Sequence, residues 1–215
     1  MDILAVGDMH GNLNVVLKAL EQSKVDLLVS TGDWGDPNQV DEGIFQAIVA
    51  RVPVLTVYGN HDYVDLLRNA KNQDGSLVLL SQGEVREFGG LRFVGISGIW
   101  AKSHRKPHYV TDEDVRQIAE HVAHEHEHVD VMITHGCAIG LADEVPGGGH
   151  GGQRCFLEAF RQISPRLYLC GHLHLPQKRV LKDGRTIINV GYGGEGDYWI
   201  VSFKDQTIDA YHYKI

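Results

Sequence analysis

The chain has 215 residues, of which 43% are hydrophobic and 22% charged, and its formal net charge is −8 at pH 7. This composition is typical of a globular protein with a sizeable core, and the length predicts a single domain over residues 1–215. The negative charge argues against a broad nucleic-acid or membrane footprint, because phosphate backbones and anionic lipids select basic surfaces. The sequence has no signal-peptide pattern and no apolar run of the roughly 20 residues that cross a bilayer, so we expect a cytoplasmic protein.

The first part of the chain alternates between strand and helix patterns. Apolar runs at residues 2–6, 26–30 and 53–57 indicate buried strands, and helical periodicity begins after the N-cap Asn12 and again at Gln39. Continuous apolar strands separated by helices favour a parallel sheet with helices on its faces. The sequence therefore predicts a βαβαβ unit here.

Beyond a helix predicted over residues 62–70, the patterns become shorter and are separated by glycines. Runs at 77–80, 84–88 and 91–96 indicate antiparallel hairpins in a second sheet layer. Thr111 opens a helix to about residue 127 in capping-box style. Further strands and helices are predicted at residues 130–134, 154–163, 166–170, 178–181, 186–190, 198–203 and 208–213.

Two segments match no regular element. Residues 100–110 mix aromatic and basic side chains, which fit either a substrate-phosphate patch or an exposed loop. The basic and imidazole side chains of this segment are His104, Arg105, Lys106 and His108. Residues 140–152 contain six glycines and indicate a loop over the site, either a lid or a surface excursion.

Polar side chains follow five of the predicted strands at the point where each strand ends. Because ligands gather at the carboxyl ends of strands in open α/β sheets, we expect these side chains to lie close together. They offer oxygen and nitrogen but no thiolate, which suits Mn²⁺, Fe or Zn²⁺ in a reactive site better than a cysteine-type structural zinc. The candidate donors are Asp8, His10, Asp33, Asn60, His135, His172 and His174.

Seven donors are too many for one ion, and a shared carboxylate would divide them between two. Ions ~3.5–4 Å apart clamp the attacking and leaving oxygens of a phosphoryl displacement. His61 follows Asn60 and cannot easily point at the same ion, so we expect it to face the substrate and protonate the leaving oxygen. Asp62 is expected to orient His61 or raise its pKa. Asp36 fits a turn or a helix cap, and an orienting role for it stays open.

The blocks that carry these residues stand in a recognisable order. They are G-D-M-H-G at 7–11, G-D at 32–33, G-N-H-D at 59–62, T-H-G at 134–136 and G-H-L-H at 171–174. In this order, and over most of its length, the sequence resembles the calcineurin-like metallophosphoesterases. The resemblance implies an α/β fold of a particular kind, a four-layered αββα sandwich with two mixed β-sheets flanked by helices.

The resemblance also implies a role for each donor. His61 would be the catalytic histidine and Asp33 would bridge the two ions. One ion would be bound by Asp8, His10 and His174, and the other by Asn60, His135 and His172. We expect manganese in these sites, with Fe, Zn²⁺, Ni²⁺ or Mg²⁺ as alternatives.

Two features favour one branch of this family. After Asp33 the chain continues as Trp34-Gly35-Asp36-Pro37 and lacks the phosphate-gripping arginine of the protein phosphatase branch. The segment from 134 to 174, with Asn189-Val190-Gly191 after it, is more similar to the small phosphodiesterase branch, which includes cyclic-nucleotide phosphodiesterases. The sequence thus predicts a phosphodiesterase of small or cyclic nucleotides or similar phosphoesters, with attack by a metal-bound hydroxide and His61 as the general acid.

Other interpretations stay open at this stage. The chain could be a nuclease of the same superfamily, or a non-catalytic metal-binding scaffold such as the family's retromer subunit, and it is compatible with a homo-oligomer. The histidines between 121 and 128 indicate a solvated helix end rather than a metal site. The odd number of cysteines, without C-x-x-C spacing, indicates reduced thiols. These are Cys137, Cys155 and Cys170.

Overall fold

The computed structural model describes residues 1–204 and 207–215, which form two large sheets, two short strand pairs and the helices that flank the sheets. The helices are α1 (Asn14–Gln22), α2 (Glu42–Val49), α3 (Val64–Asn69), α4 (Asp112–Glu125) and α5 (Arg154–Ile163), with a 3₁₀ turn at Gly193–Glu195. The strands are β1 (Asp2–Val6), β2 (Leu27–Ser30), β3 (Val54–Thr56), β4 (Val85–Phe88), β5 (Leu91–Ile96), β6 (Ile99–Trp100), β7 (Tyr109–Val110), β8 (Val131–Thr134), β9 (Glu144–Val145), β10 (Gly149–His150), β11 (Leu167–Cys170), β12 (Gln177–Val180), β13 (Thr186–Asn189), β14 (Asp197–Lys204) and β15 (Thr207–Lys214).

Both large sheets are mixed. The first has the order β15-β14-β1-β2-β3, in which β1, β2 and β3 are parallel and the C-terminal strands run antiparallel. The second has the order β12-β13-β11-β8-β5-β4, with a parallel centre and an antiparallel strand at each edge. The parallel strands require crossover connections, which the helices supply.

Alternation along the central strands sorts side chains into layers. In β1, Ile3 and Ala5 face the second sheet, whereas Leu4 and Val6 face α1 and α2. The second sheet behaves likewise, since its outer face packs on α4 and α5. Burying both faces of each strand explains why the strands read as continuous apolar runs. The order of layers is helix, sheet, sheet, helix, which confirms the predicted αββα sandwich.

The register of the strands brings their carboxyl ends together. Val6 pairs with Ser30, and Ser30 pairs with Thr56, so the three parallel strands of the first sheet end at one level. In the second sheet Ile96 pairs with Thr134, and β11 lies beside β8 with the same direction. The loops that leave these ends carry the polar blocks found in the sequence.

Several boundaries differ from the predictions. Asn12 is not an N-cap, because its side-chain amide donates to the Gly194 carbonyl oxygen at 2.9 Å and α1 starts after Leu13. Helix α2 starts at Glu42 rather than at Gln39, since Asp41 supplies the cap by accepting from the Ile44 amide at 3.0 Å. The strand predicted at 77–80 makes only isolated bridges, which include one from Leu79 to β3.

The capping box of α4 is confirmed. The Thr111 hydroxyl accepts from the Asp114 amide, and the Asp114 carboxylate accepts from the Thr111 amide at 2.7 Å. The predicted loops at 100–110 and 140–152 each contain short strands, β6 and β7 in the first case and β9 and β10 in the second. Among the helices described, none has both the length and the apolarity that a bilayer span requires.

Candidate metal centre

The side chains predicted as donors converge where the carboxyl ends of the two sheets meet. Two groups of three have ligand atoms within 4.8 Å of one another, and Asp8 belongs to both. The first group is Asp8, His10 and His174, and the second is Asp8, Asp33 and His135. The His172 ring lies 5.1 Å from the His135 ring, centroid to centroid, beside the second group.

Asp33, a member of the second group, also lies close to the first. Its Oδ2 atom lies 3.8 Å from Nε2 of His10 on one side and 3.4 Å from Nε2 of His135 on the other. Its Oδ1 atom accepts a hydrogen bond from the His61 amide at 2.7 Å, which fixes the carboxylate plane. One carboxylate oxygen therefore faces imidazoles from both groups, the geometry expected of a bridging ligand.

Four buried side-chain atoms of the described residues have no hydrogen-bond partner, and three of them are candidate metal-binding atoms of the centre: Asp8 Oδ1, Asn60 Oδ1 and His135 Nε2, the fourth being Trp199 Nε1. A buried polar atom without a partner costs on the order of 1–3 kcal/mol, so such atoms are rare unless a ligand satisfies them. His174 Nε2 lies 3.2 Å from Asp8 Oδ1 without hydrogen-bond geometry. Two oxygens and one imidazole nitrogen from three strand ends fit a hard or borderline divalent cation.

The other atoms of these side chains are held by the backbone. His135 Nδ1 lies 3.0 Å from the Thr31 carbonyl oxygen and donates to it, so Nε2 is the nitrogen that would bind an ion once its own proton is displaced. Asp8 Oδ2 accepts from the His172 amide at 2.9 Å, so one oxygen of Asp8 is occupied and the other points into the centre. Nε2 of His10 and Nε2 of His174 lie 3.2 Å apart, as expected for two ligands of one ion.

The backbone at the centre adopts a conformation that L-residues avoid. Positive φ angles of 46–69° occur at five of the donors. These are Asp8, His10, Asp33, His172 and His174. Each such residue costs on the order of 1–3 kcal/mol, and strain of this kind gathers at functional sites. Gly59 must be glycine for a related reason, because a Cβ there would lie 2.2 Å from Asp33 Oδ1.

The protonation states prepare several imidazoles for coordination. Burial, together with the neighbouring His135, lowers the pKa of His172 to about 4. Burial likewise lowers the pKa of His10, whereas the Asp8 carboxylate raises that of His174. Burial opposes charge on the Asp33 and His135 pair, yet their mutual attraction outweighs it, so the pKa of His135 rises to about 9 and that of Asp33 falls. A cation would displace the proton of His135.

His61 lies at the edge of the centre, next to the imidazole ring of His10. It is half exposed, and its ring centroid lies 5.3 Å from that of His10. The Asp62 carboxylate accepts from the backbone amides of Asp33, Trp34 and Gly59 at 2.7–2.8 Å, so the role expected of it, to orient His61 or raise its pKa, stays a prediction. The ring partner is Asp36, whose Oδ2 lies 3.2 Å from His61 Nδ1. Asp62, the neighbour of His61 in sequence, thus binds backbone amides, whereas the more distant Asp36 contacts the ring.

A cavity of about 310 Å³ opens beside His61. Its inner wall is formed by Asn60, His61 and His172, and its outer wall by the 99–109 segment. The outer wall consists of Ile99, Trp100, Ala101, Lys106, His108 and Tyr109. Of the two interpretations given for this segment, the substrate-facing one suits Lys106 and His108, which line the cavity. His104 instead contacts Asp114 at 2.5 Å.

Tyr192 is a residue of the centre that the sequence patterns did not predict. Its ring stacks on His174 with centroids 4.3 Å apart and an interplanar angle of 4°, and it meets His10 edge-on at 5.8 Å. It follows the Asn189-Val190-Gly191 segment directly. Its position after a strand end was the available signal.

The glycine-rich segment contacts the centre indirectly. Gly151 packs against Leu173, the residue between two candidate ligands, and a Cβ there would lie 2.7 Å from the Leu173 side chain. Asp143, which is buried, holds the segment by accepting from the Gly152 amide at 3.0 Å and by contacting His150 Nδ1 at 2.8 Å. The histidines of α4 lie apart from the centre on an exposed helix end, where His124 contacts Glu125.

Comparison with known proteins decides the family. The profile of the calcineurin-like phosphoesterase superfamily domain matches residues 1–198. The chain belongs to this superfamily. Membership supports a phosphoric ester hydrolase, divalent metal ions are expected in this superfamily, and the donor groups described above fit such ions. No curated protein sequence matches the chain.

Solved structures agree with this fold at low sequence identity. The protein TT1561 of Thermus thermophilus has a TM-score of 0.74 and 14% identity, with 98% of this calcineurin-like chain and 97% of that chain covered. A dimetal phosphatase from Danio rerio has a TM-score of 0.62 and 12% identity, with 100% and 98% covered. A putative 5′-nucleotidase from Staphylococcus aureus has a TM-score of 0.62 and 14% identity, with 99% of this chain and 54% of that chain covered.

Proposed function

We propose that this protein is a cytoplasmic two-metal phosphodiesterase that acts on small nucleotides, cyclic ones included. The observation that carries the proposal is the set of three buried, unpartnered donor atoms around Asp33, next to a cavity that His61 lines. The unpartnered atoms support cation binding, which a metal-binding scaffold would share, and the adjoining cavity that His61 lines favours a hydrolase, because an ester also needs a place to bind.

The proposed ligand set divides around Asp33. One ion would be held by Asp8, His10 and His174, and the other by Asn60, His135 and His172, with Asp33 shared. When bound, the ions would neutralise charge on the phosphoryl oxygens and lower the pKa of a water molecule. Manganese suits these oxygen and imidazole donors, as do Fe, Zn²⁺, Ni²⁺ and Mg²⁺.

The remaining steps belong to the chain's own residues. His61 donates a proton to the leaving oxygen, and Asp36, 3.2 Å from Nδ1, holds the ring so that Nε2 faces the cavity. The amide of His61 donates to Asp33, which ties the proton donor to the centre. The diester preference is supported by the Trp34-Gly35-Asp36-Pro37 segment, where no arginine is present to grip a terminal phosphate.

The test compares two esters and two variants. Metal-stripped protein is assayed on p-nitrophenyl phosphate and on bis-p-nitrophenyl phosphate, before and after Mn²⁺ is returned. We expect Mn²⁺-dependent turnover that favours the diester and falls about 10²–10⁴-fold in His61→Ala. His124→Ala, which changes an exposed histidine away from the centre, is the matched control and keeps full activity.

The contrary outcomes are distinct. A metal-loaded protein that is inert on both esters would support the scaffold interpretation. Salt-sensitive binding of oligonucleotides, with cleavage of them and none of small esters, would favour a nuclease.

A further inference from the structure

The cavity beside His61 is continuous with the candidate metal centre. Asn60 and His172, two of the proposed ligands, form its floor together with His61. An ester bound at the centre through its phosphoryl group therefore has room to extend into this space. At about 310 Å³ the cavity lies at the lower end of the volumes of small-molecule sites.

The position of His61 shows which part of a substrate occupies the cavity. A general acid must lie within hydrogen-bond reach of the oxygen that it protonates. His61 lines the cavity, and its ring meets that of His10 edge-on with centroids 5.3 Å apart, so it lies between the candidate ligands and the cavity. The leaving group of the ester is consequently on the cavity side.

Aromatic rings form much of the outer wall. Trp100 is partly exposed, and its indole Nε1 donates to Asp112 Oδ1 at 2.9 Å, so the ring is fixed and its polar atom is already used. Tyr109 lies edge-on to His108, with centroids 5.0 Å apart. Both rings line the cavity and are partly exposed, and partly exposed aromatic rings are platforms on which planar bases stack.

The wall also carries positive charge. Lys106 lines the cavity with its Nζ 5.8 Å from the centroid of the Tyr109 ring. An ammonium group next to aromatic faces suits an anionic ligand with a planar body better than a purely apolar one.

We infer that the 99–109 segment is a base-binding subsite, in which Trp100 and Tyr109 stack the base of a nucleotide whose phosphate lies at the metal centre. The inference rests on the proposed function and names the residues that would give it a preference for nucleotides over other phosphoesters. It assigns specificity to residues outside the superfamily blocks, in a segment whose role the sequence patterns leave open.

The experiment compares two ligands that share a sugar phosphate and differ only in the base. Adenosine 5′-monophosphate and ribose 5-phosphate are titrated into the metal-loaded protein, and tryptophan fluorescence is recorded. Trp34 and Trp199 are buried at 1% and 5% exposure, so a base that stacks on Trp100 changes the emission of the exposed indole. We expect the nucleotide to bind about tenfold more tightly, as one stacked base contributes.

Three variants make the result specific. Trp100→Leu and Tyr109→Leu should each reduce the preference for the nucleotide to within about twofold, measured for these variants as inhibition of bis-p-nitrophenyl phosphate hydrolysis or by calorimetry. Lys102→Ala changes an exposed residue of the same segment that does not line the cavity, and it should keep the preference. Because Trp100 also contacts Asp112, the Tyr109 variant keeps the test decisive if Trp100→Leu fails to fold.

The failures of the two proposals differ. Equal binding of both ligands to the native protein, or an unchanged preference in both cavity variants, would overturn the subsite. If the nucleotide is preferred but no ester is hydrolysed, the subsite stands and the phosphodiesterase proposal fails. Hydrolysis of the diester without any preference for the nucleotide overturns the subsite alone.

Discussion

At the scale of single residues, the contact between His61 and Asp36 pairs the proposed proton donor with the residue proposed to position it. Their side chains lie 3.2 Å apart, and both are partly exposed. We expect Asp36→Asn to lower kcat on bis-p-nitrophenyl phosphate by about ten- to a hundredfold, because the His61 imidazole loses the carboxylate that orients it. KM should change little, because neither Asp36 nor His61 is a proposed metal ligand. Metal analysis should show an unchanged ion content. Asp65→Asn, on the exposed face of α3, is the control, and a normal kcat in Asp36→Asn would remove Asp36 from the mechanism.

Asp62 has a different task, although it adjoins the same histidine. Its carboxylate satisfies the amides of Asp33, Trp34 and Gly59. Asp62→Ala leaves these donors unpaired, and we expect a loss of unfolding free energy on the order of 3 kcal/mol or more. Urea denaturation measures the loss. A variant as stable as the native protein, with kcat alone reduced, would instead return Asp62 to the catalytic role that the sequence suggested.

Cys155 gives a prediction that depends on pH. Burial, and then the nearby Asp112 carboxylate, raise the pKa of this thiol from 9.0 to about 12. The folded state keeps the Cys155 thiol neutral, whereas the unfolded chain loses its proton above about pH 9. The contribution of this thiol to the unfolding free energy is therefore complete below pH 9 and is lost as the pH rises toward 12. We expect a disulfide exchange reagent to find no reactive thiol in the native protein at pH 8 and all 3 cysteines after denaturation. Rapid labelling of Cys155 in the native state would contradict this burial.

At the scale of elements, the sequence specifies strands better than the segments between them. The runs that form β1, β2, β8 and β11 are buried on both faces, so composition alone marks them and the glycine after each run marks its end. The N-terminus of α1 could not be predicted, because the Asn12 side chain donates to the Gly194 carbonyl oxygen instead of capping the helix. The two residues are 182 positions apart in sequence. Local pattern cannot report such a distant partner.

The same limit applies to the candidate site. Blocks of glycine and donor at strand ends predicted which residues meet, since strand direction alone brings those ends together. The partner of His61 could not be chosen between two carboxylates by sequence distance, because loop geometry decides it. The positions of Tyr192 and Trp100 were not predicted, because local pattern does not show which distant residues an aromatic side chain meets, and only the fold places them against His174 and the cavity.

The β9 and β10 hairpin is an element with a testable link to the centre. Asp143 fixes it, and Gly151 packs on Leu173 between two proposed ligands. We expect Asp143→Ala to weaken Mn²⁺ binding by about tenfold, within the range typical of residues that support ligands. Calorimetric titration of the stripped protein measures the affinity. Glu144→Ala, exposed on the adjacent position, should leave the affinity unchanged, and an unaffected Asp143→Ala would show that the hairpin is independent of the centre.

At the scale of the whole molecule, the carboxyl ends of the two sheets meet at the metal centre. In the absence of bound ions, the conformation of the chain at this centre costs free energy. Five donors there adopt positive φ angles, and three buried donor atoms lack partners. The cores between and outside the sheets must compensate for these costs. A ligand that satisfies the donors binds the folded state alone, because the unfolded chain does not assemble the strand ends.

Metal removal should therefore lower the stability of the entire fold. At about one hundred times Kd, each ion adds roughly 2.7 kcal/mol to the unfolding free energy, and two ions add about twice that. For a chain of this length the melting temperature should rise by roughly 10–20 °C when Mn²⁺ replaces a chelator in differential scanning calorimetry. Asp33→Ala, which removes the oxygen shared between the groups, should abolish most of the rise, whereas His121→Ala on the exposed end of α4 should keep all of it. Equal melting temperatures with chelator and with Mn²⁺ would mean that the donors at the strand ends bind no ion, and the two-metal proposal would fail with them.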